Sequence, residues 1–279
     1  LEENYMDSLS DYLAIKRGGW SEQTYKTYAR LLAGLVGACP GLTLAEISDW
    51  LYRPEWRSNQ RYVALKAAQG YVRWCCGDDH PALKMRVKRG DGPPLRVLSS
   101  ERLMTLLSSF DTMTKKGVRD LAMCALMVDS GLRASEVCRL GIAYLDLVEC
   151  RFSVKVKGGR WAEGVYSDTT ARYLHNWLNV RMAVAGCDAV FTAIKEHTQL
   201  TREGLLVIVR KWGIAAGIGA LSPHDLRRTF AVLSTRAGAP GRVLQAAGRW
   251  SSLAMVERYT RAIDAEDMRP YFPVTKAGL

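Results

Sequence analysis

Hydrophobic positions in residues 5–77 recur at helical spacing and mark four helices. In the clearest, Tyr25, Tyr28, Leu32, Leu35 and Val36 share one face of a segment that starts after Ser21, a good N-cap, and runs to Gly37. A shorter helix is expected over 44–51, ended by Pro54. A longer one is expected over 56–76, stopped by the polar turn Gly77-Asp78-Asp79-His80-Pro81. The periodicity then fails at Lys88-Arg89-Gly90-Asp91-Gly92-Pro93-Pro94, where charge and backbone breakers coincide. This predicts a helical domain at 1–87, a basic linker at 88–98 and a second domain at 99–279.

The second domain opens with a helix start at Ser99-Ser100-Glu101-Arg102. Val118, Leu121, Ala122, Ala125, Leu126 and Val128 make the helix over 117–130 apolar on most sides, so it belongs at the centre of the domain. Strand patterns follow at 144–148, 152–156 and 161–166, with Gly158-Gly159 as a turn between the last two. Helical patterns fill 168–183, 200–216, 223–237, 240–247 and 252–258. The expected fold class is mainly α: a helical first domain, then an α+β domain with a small antiparallel sheet.

Charge narrows the class of partner. The chain has 279 residues and a net charge of +11, which suits an anionic partner, nucleic acid first and a membrane surface second. Residues 1–80 are near neutral, with nine Lys/Arg and ten Asp/Glu, whereas Lys84, Arg86, Lys88, Arg89 and Arg96 meet only Asp91. No apolar run reaches the ~18 residues that a membrane span needs. The first residues have no basic or apolar signal character, so a cytoplasmic protein is expected. Seven cysteines, without a C-x-x-C pair or zinc spacing, read as free thiols in a reducing compartment.

Three short segments carry candidate chemistry. Gly131-Leu132-Arg133-Ala134-Ser135-Glu136 follows the buried helix, with Glu136 one helical turn from Arg133. An arginine braced by a carboxylate makes an oriented phosphate clamp, although an ordinary surface ion pair has the same composition. In Ser222-Pro223-His224-Asp225-Leu226-Arg227-Arg228, Ser222 and Asp225 suit a capping box with Pro223 at the first helical position. That puts His224 and Arg227 on one face of the first turn, where free backbone N–H groups favour an anion. A structural histidine would fit there equally. The third segment runs from Gly248 to Arg261 and contains Trp250 and Tyr259; nothing intrinsic distinguishes Tyr259 from the other eleven tyrosines beyond its neighbours Arg258 and Arg261.

Taken in order, these segments resemble the tyrosine recombinase (phage integrase) family. Its pattern is G-L-R-x-S-E, a hairpin lysine, H-x-L-R, and a His or Trp nine residues before a nucleophilic Tyr. Arg133, Glu136, His224, Arg227, Trp250 and Tyr259 match it; Trp250 stands where Cre-type members have Trp and Xer-like members usually have His. The resemblance covers about residues 99–265 and, more loosely, the helical 5–77 region, which is similar to a core-binding (SAM-like) domain. Residues 1–98 alone precede the catalytic segment, so the arm-binding domain of many phage integrases is not expected in this chain. For the lysine, Lys157 before Gly158-Gly159 fits best, with Lys155 two residues earlier on the same strand face as the alternative.

The resemblance implies a mechanism. Tyr259 attacks a scissile phosphate, leaving a 3′-phosphotyrosyl link and a 5′-hydroxyl. Arg133 and Arg227 hold the non-bridging oxygens, and Glu136 supports Arg133. His224 hydrogen-bonds the phosphate or takes the tyrosine proton, the lysine protonates the leaving oxygen, and Trp250 donates its indole N–H or packs. No metal, cofactor or ATP is expected. The implied function is site-specific recombination through a Holliday junction; a type IB topoisomerase, a telomere resolvase and an inactive DNA-binding regulator are the alternatives. The implied partners are double-stranded DNA with inverted-repeat half-sites and three further copies of the chain, joined through the segment after Tyr259 into a nucleoid-associated tetramer. In the first domain, Arg57, Asn59 and Arg61 on one helix, with the basic run Lys84, Arg86, Lys88 and Arg89, are the candidate DNA contacts.

Overall fold

The computed structural model describes residues 5–90, 96–156 and 158–260. The chain forms two compact units that divide between residues 93 and 94. In the first, α1 (Tyr5–Arg17), α2 (Glu22–Ala38), α3 (Leu44–Leu51) and α4 (Ser58–Cys76) are followed by a 3-10 turn at Pro81–Lys84. Side-chain caps fix the helix starts: Ser21 accepts from the Thr24 N–H, and Thr43 and Glu46 form a reciprocal capping box. The apolar faces meet in a core containing Leu32, Leu35, Ile47, Leu51, Leu65 and Tyr71. At one edge of that core, the Tyr12 ring packs on Trp20, Tyr71 and Trp74.

One detail differs from expectation in the first unit. Helix α4 begins at Ser58 rather than at residue 56. Trp56 is drawn onto Trp50, with ring centroids 4.8 Å apart, and Arg57 becomes an extended N-cap residue whose N–H donates to Gln60 Oε1. The chain after α4 also stays on this unit. Gln69 Nε2 donates to the carbonyls of Ala82, Leu83 and Met85, and Met85 and Val87 pack against the core.

The second unit contains α5 (Ser100–Ser108), α6 (Lys115–Ser130), α7 (Ala134–Arg139), the strands β1 (Leu145–Asp146), β2 (Arg151–Lys155) and β3 (Trp161–Val165), then α8 (Asp168–Val180), α9 (Arg202–Ala215), α10 (Pro223–Arg236), α11 (Gly241–Ala247) and α12 (Leu253–Thr260). Every residue from Leu121 to Met127 is buried, so α6 runs through the middle of the unit, as its all-round apolar surface predicts. The sheet is antiparallel in the order β1-β2-β3, with Phe152 opposite Leu145 and Gly164, and Lys155 opposite Trp161. Strand β1 keeps only two residues of the expected 144–148. The architecture is mainly α with one small sheet.

Among the described residues, the second unit has two separate hydrophobic cores. The larger surrounds α6 and takes in Leu132 and Val137 near α7, Phe152 and Val154 of β2, and Leu226 of α10. The smaller holds Phe230, Ala231, Leu244, Trp250, Val256 and Tyr259. Helix α10 belongs to both.

Candidate active site

Helix α6 ends at Gly131, whose φ of 60° is left-handed and whose missing side chain leaves room for Phe230; a Cβ there would lie 2.4 Å from Phe230 Cδ1. This tight exit puts Arg133 at the N-cap of α7 and Glu136 in its first turn. Glu136 Oε2 accepts from the Arg133 backbone N–H at 2.9 Å, and Oε1 accepts from Arg133 Nη1 at 2.7 Å. The Glu136 side chain is 2% exposed and that of Arg133 is 35% exposed. The guanidinium is thus anchored on a buried carboxylate through Nη1 and on the Arg249 carbonyl through Nη2 while the side chain stays partly exposed, which is not the geometry of a mobile surface pair.

The start of α10 follows its capping signature. Ser222 and Asp225 exchange hydrogen bonds, Ser222 N–H to Asp225 Oδ2 at 2.9 Å and Asp225 N–H to Ser222 Oγ at 3.3 Å. With Pro223 first in the helix, His224 and Arg227 fall in its opening turn. Arg227 is 2% exposed; it donates to the carbonyl oxygens of Gly131 and Gly248 and lies over the Trp250 ring at 4.6 Å. Trp250 precedes α12 and Tyr259 lies within it, their rings 5.2 Å apart, with the His224 ring 6.0 Å from Tyr259 at a steep angle.

Arg133, Ser222, His224, Arg227, Trp250 and Tyr259 together line an open cavity of about 630 Å³. Trp250 is 5% exposed, yet among the described residues its Nε1 has no hydrogen-bond partner. Buried N–H donors are nearly always paired, so this one is suited to an acceptor brought by a ligand.

The charges are tuned by the same packing. Burial, then the nearby Arg133 and Arg249, pull the Arg227 pKa down to about 10, which leaves it cationic at neutral pH. His224 opens to solvent through the cavity. The protein closing in around it, then Arg228 and Arg227, nevertheless lower its pKa below the usual imidazole value. His224 is therefore neutral at pH 7 and able to accept a proton. The site presents two fixed guanidiniums, an indole donor, a neutral imidazole and one phenol, an arrangement fitted to hold an anion beside a nucleophile.

Some candidates lie elsewhere. Lys157 and the segment after Thr260 fall outside the described residues. Lys155 is exposed at the end of β2 and does not line the cavity. In the first unit, Arg57, Asn59, Lys84, Arg86, Lys88 and Arg89 are exposed. Arg61 is turned inward, donating to the Arg53 carbonyl and stacking on Tyr52 at 5.5 Å. Among the described residues, no group of three or more His, Cys, Asp and Glu is placed to hold a metal. Nor, among them, is any helix long and apolar enough to cross a membrane.

Sequence reasoning missed Arg202 and Glu203, which enter the cavity wall from the first turn of α9, and Arg249, which is buried behind the wall. A capped helix start at Thr201 was the one available signal for the first two. Arg249 had none, because it lies in a turn without periodicity.

Residues 96–266 match the phage integrase family model. Among curated relatives, the chain is 29% identical over 268 residues to the tyrosine recombinase XerD of Neisseria meningitidis serogroup B, covering 88% of this chain and 89% of the relative. It is 28% identical over 269 residues to the tyrosine recombinase XerC of Actinobacillus pleuropneumoniae serotype 7, covering 90% and 86%. Two solved structures share the fold. The XerH site-specific recombinase bound to a palindromic difH substrate in a post-cleavage complex matches with a TM-score of 0.72 at 20% identity, over 88% of this chain and 78% of that one. The Tn1549 transposon integrase in complex with a circular intermediate DNA matches with a TM-score of 0.73 at 16% identity, over 94% and 98%.

Proposed function

The chain belongs to the phage integrase family, and from that premise we propose that it is a tyrosine recombinase that cuts and rejoins DNA at specific sites, with Tyr259 as the nucleophile. The observation that carries this reading is the convergence of Arg133, His224, Arg227, Trp250 and Tyr259 on one cavity.

In the proposed reaction the Tyr259 oxygen attacks the scissile phosphorus, and its proton passes to neutral His224. The bond from phosphorus to the 5′ oxygen breaks. That oxygen takes a proton from the hairpin lysine, Lys157 or Lys155, and leaves as a hydroxyl. Arg133 and Arg227 hold the non-bridging oxygens, Trp250 donates to one of them, and Glu136 keeps Arg133 in register. Charge on these oxygens grows towards the pentacoordinate state, so donors already fixed in place lower the barrier. The phosphotyrosyl ester keeps the energy of the broken phosphodiester. A 5′-hydroxyl from another strand can therefore reverse the step and exchange strands.

The partner is double-stranded DNA, read as paired inverted half-sites, with four copies of the chain assembled through the segment after Tyr259. The exposed Arg57, Asn59, Lys84, Arg86, Lys88 and Arg89 of the first unit hold the same duplex, and the enzyme works in the cytoplasm on the nucleoid. Incubation with a nicked half-site that loses a short fragment bearing the new 5′-hydroxyl on cleavage tests the chemistry. The wild-type chain should accumulate a covalent protein–DNA adduct, while Tyr259→Phe should form none yet still shift the DNA in a gel. An adduct with Tyr259→Phe would reassign the nucleophile.

A further inference from the structure

Arg249, immediately before Trp250, combines two unusual properties. It is a non-glycine residue in the left-handed region, with φ of 54°, where L side chains crowd the backbone. Its guanidinium is also almost wholly covered, with 4% of the side chain exposed. Such a conformation persists only where the surroundings hold it. Here Nη1 donates to the Ala247 carbonyl at 2.7 Å and Nη2 to the Ser130 carbonyl at 3.0 Å. Nε faces Glu136 Oε2 at 3.5 Å, and the plane rides over the Phe152 ring at 5.4 Å. The side chain therefore ties its own turn to the end of α6, the start of α7 and strand β2.

The turn so held presents its carbonyls in succession to the two arginines of the cavity. Gly248 O accepts from Arg227 Nη2, and Arg249 O accepts from Arg133 Nη2 at 3.2 Å. The end of α6 answers in the same way: Ser130 O receives Arg249, and Gly131 O receives Arg227. Glu136 lies between Arg133 and Arg249 and is the shared counter-charge.

We propose that Arg249 is a positioning residue for the phosphate clamp: its buried guanidinium locks the 247–250 turn in the left-handed form that aims the Gly248 and Arg249 carbonyls at Arg227 and Arg133. This rests on the reading of those two arginines as phosphate ligands. Arg249 does not line the cavity, so it acts through them rather than on the DNA. A glycine at 249 would adopt the same backbone freely but could not lock it. A lysine would keep the charge, but its single ammonium could not span the Ala247 carbonyl, the Ser130 carbonyl and Glu136.

The test is single-turnover cleavage of the nicked half-site by the full chain, with DNA affinity and thermal melting measured in parallel. R249G should bind within about twofold of wild type and cleave about 100-fold more slowly, the scale seen when a preorganised transition-state donor is misplaced. R249K should lie between the two. The decisive arm replaces one non-bridging oxygen of the scissile phosphate by methyl. That substrate carries one less negative charge through the reaction and depends less on both arginines, so the R249G defect should shrink to under about tenfold. A role in folding alone would slow both substrates equally. Unchanged cleavage by R249G, or an equal defect on both substrates, overturns the proposal. If R249G melts below the assay temperature, the same comparison of substrates is read on R249K. Failure of the wild-type chain to form any adduct would instead sink the recombinase reading.

Discussion

The two cores of the second unit support their parts of the site in different ways. The larger core encloses α6 from Leu121 to Met127 and extends through α7 to β2, and it carries Arg133 and Glu136. The smaller core comprises Phe230, Ala231, Leu244, Trp250, Val256 and Tyr259, and it carries the phenol. Beside that packing, polar bonds from Arg227 and Arg249 to the carbonyls of Gly131, Gly248, Ala247 and Ser130 tie the turn before α12 to the end of α6. Hydrophobic contact is non-directional, whereas a guanidinium that spans two carbonyls sets both distance and angle.

The largest expected effect comes from cutting that stitch. Arg227→Ala removes a guanidinium of the cavity, the proposed phosphate ligand, and both carbonyl bonds, so single-turnover cleavage should fall by about 1,000-fold or more. Arg227→Lys should recover little of it, because one ammonium cannot replace a planar fork. Recovery by lysine to near wild-type rate would mean that charge alone matters and that the stitching has no consequence.

Next come the cores themselves. Leu126→Ala in the larger core and Leu244→Ala in the smaller should each cost about 2–5 kcal/mol locally. Hydrogen exchange separates them: Leu126→Ala should lower protection across α6, α8 and α10 together, whereas Leu244→Ala should expose α11 and α12 first. Equal loss of protection everywhere in both variants would show one cooperative core instead of two.

A smaller effect concerns pH. The folded pKa of His224 lies below its unfolded value of about 6.5, through burial first and then Arg228 and Arg227. The unfolded chain therefore takes up the proton first as pH falls. The stability this group contributes is whole above about 6.5 and is lost as pH drops towards the folded pKa. Cleavage should be flat from pH 8 down to about 6.5 and decline only below it, with the decline absent in His224→Gln. A decline beginning above pH 7 would contradict the lowered pKa. The smallest effects belong to the first unit. Arg57→Ala and Lys84→Ala should each weaken DNA binding a few-fold and reduce the slope of log affinity against log salt by about one per lost phosphate contact. An unchanged slope would free that residue of any phosphate.

Much of this was legible in the chain. The starts of α2, α5 and α10 were fixed by Ser21, Ser99 and Ser222, because a cap is a local hydrogen bond between residues three apart. The all-apolar surface of α6 announced its central place. The borders that shifted did so for tertiary reasons. Trp56 left the helix pattern to pack on Trp50, and the Arg61 side chain also meets the Arg53 carbonyl and the Tyr52 ring.

The sequence by itself determined which side chains could do chemistry and how each sits at its own helix start: Arg133 beside Glu136, and His224 and Arg227 behind Ser222 and Pro223. Tertiary structure alone decided which backbone carbonyls receive the arginines, that the Trp250 ring is buried under Arg227, and that Arg249 is left-handed and buried. Every residue offers the same carbonyl, so no residue type marks the one that will accept. The choice depends on how segments such as those of Arg133 and Arg249, 116 residues apart, approach once both cores have formed.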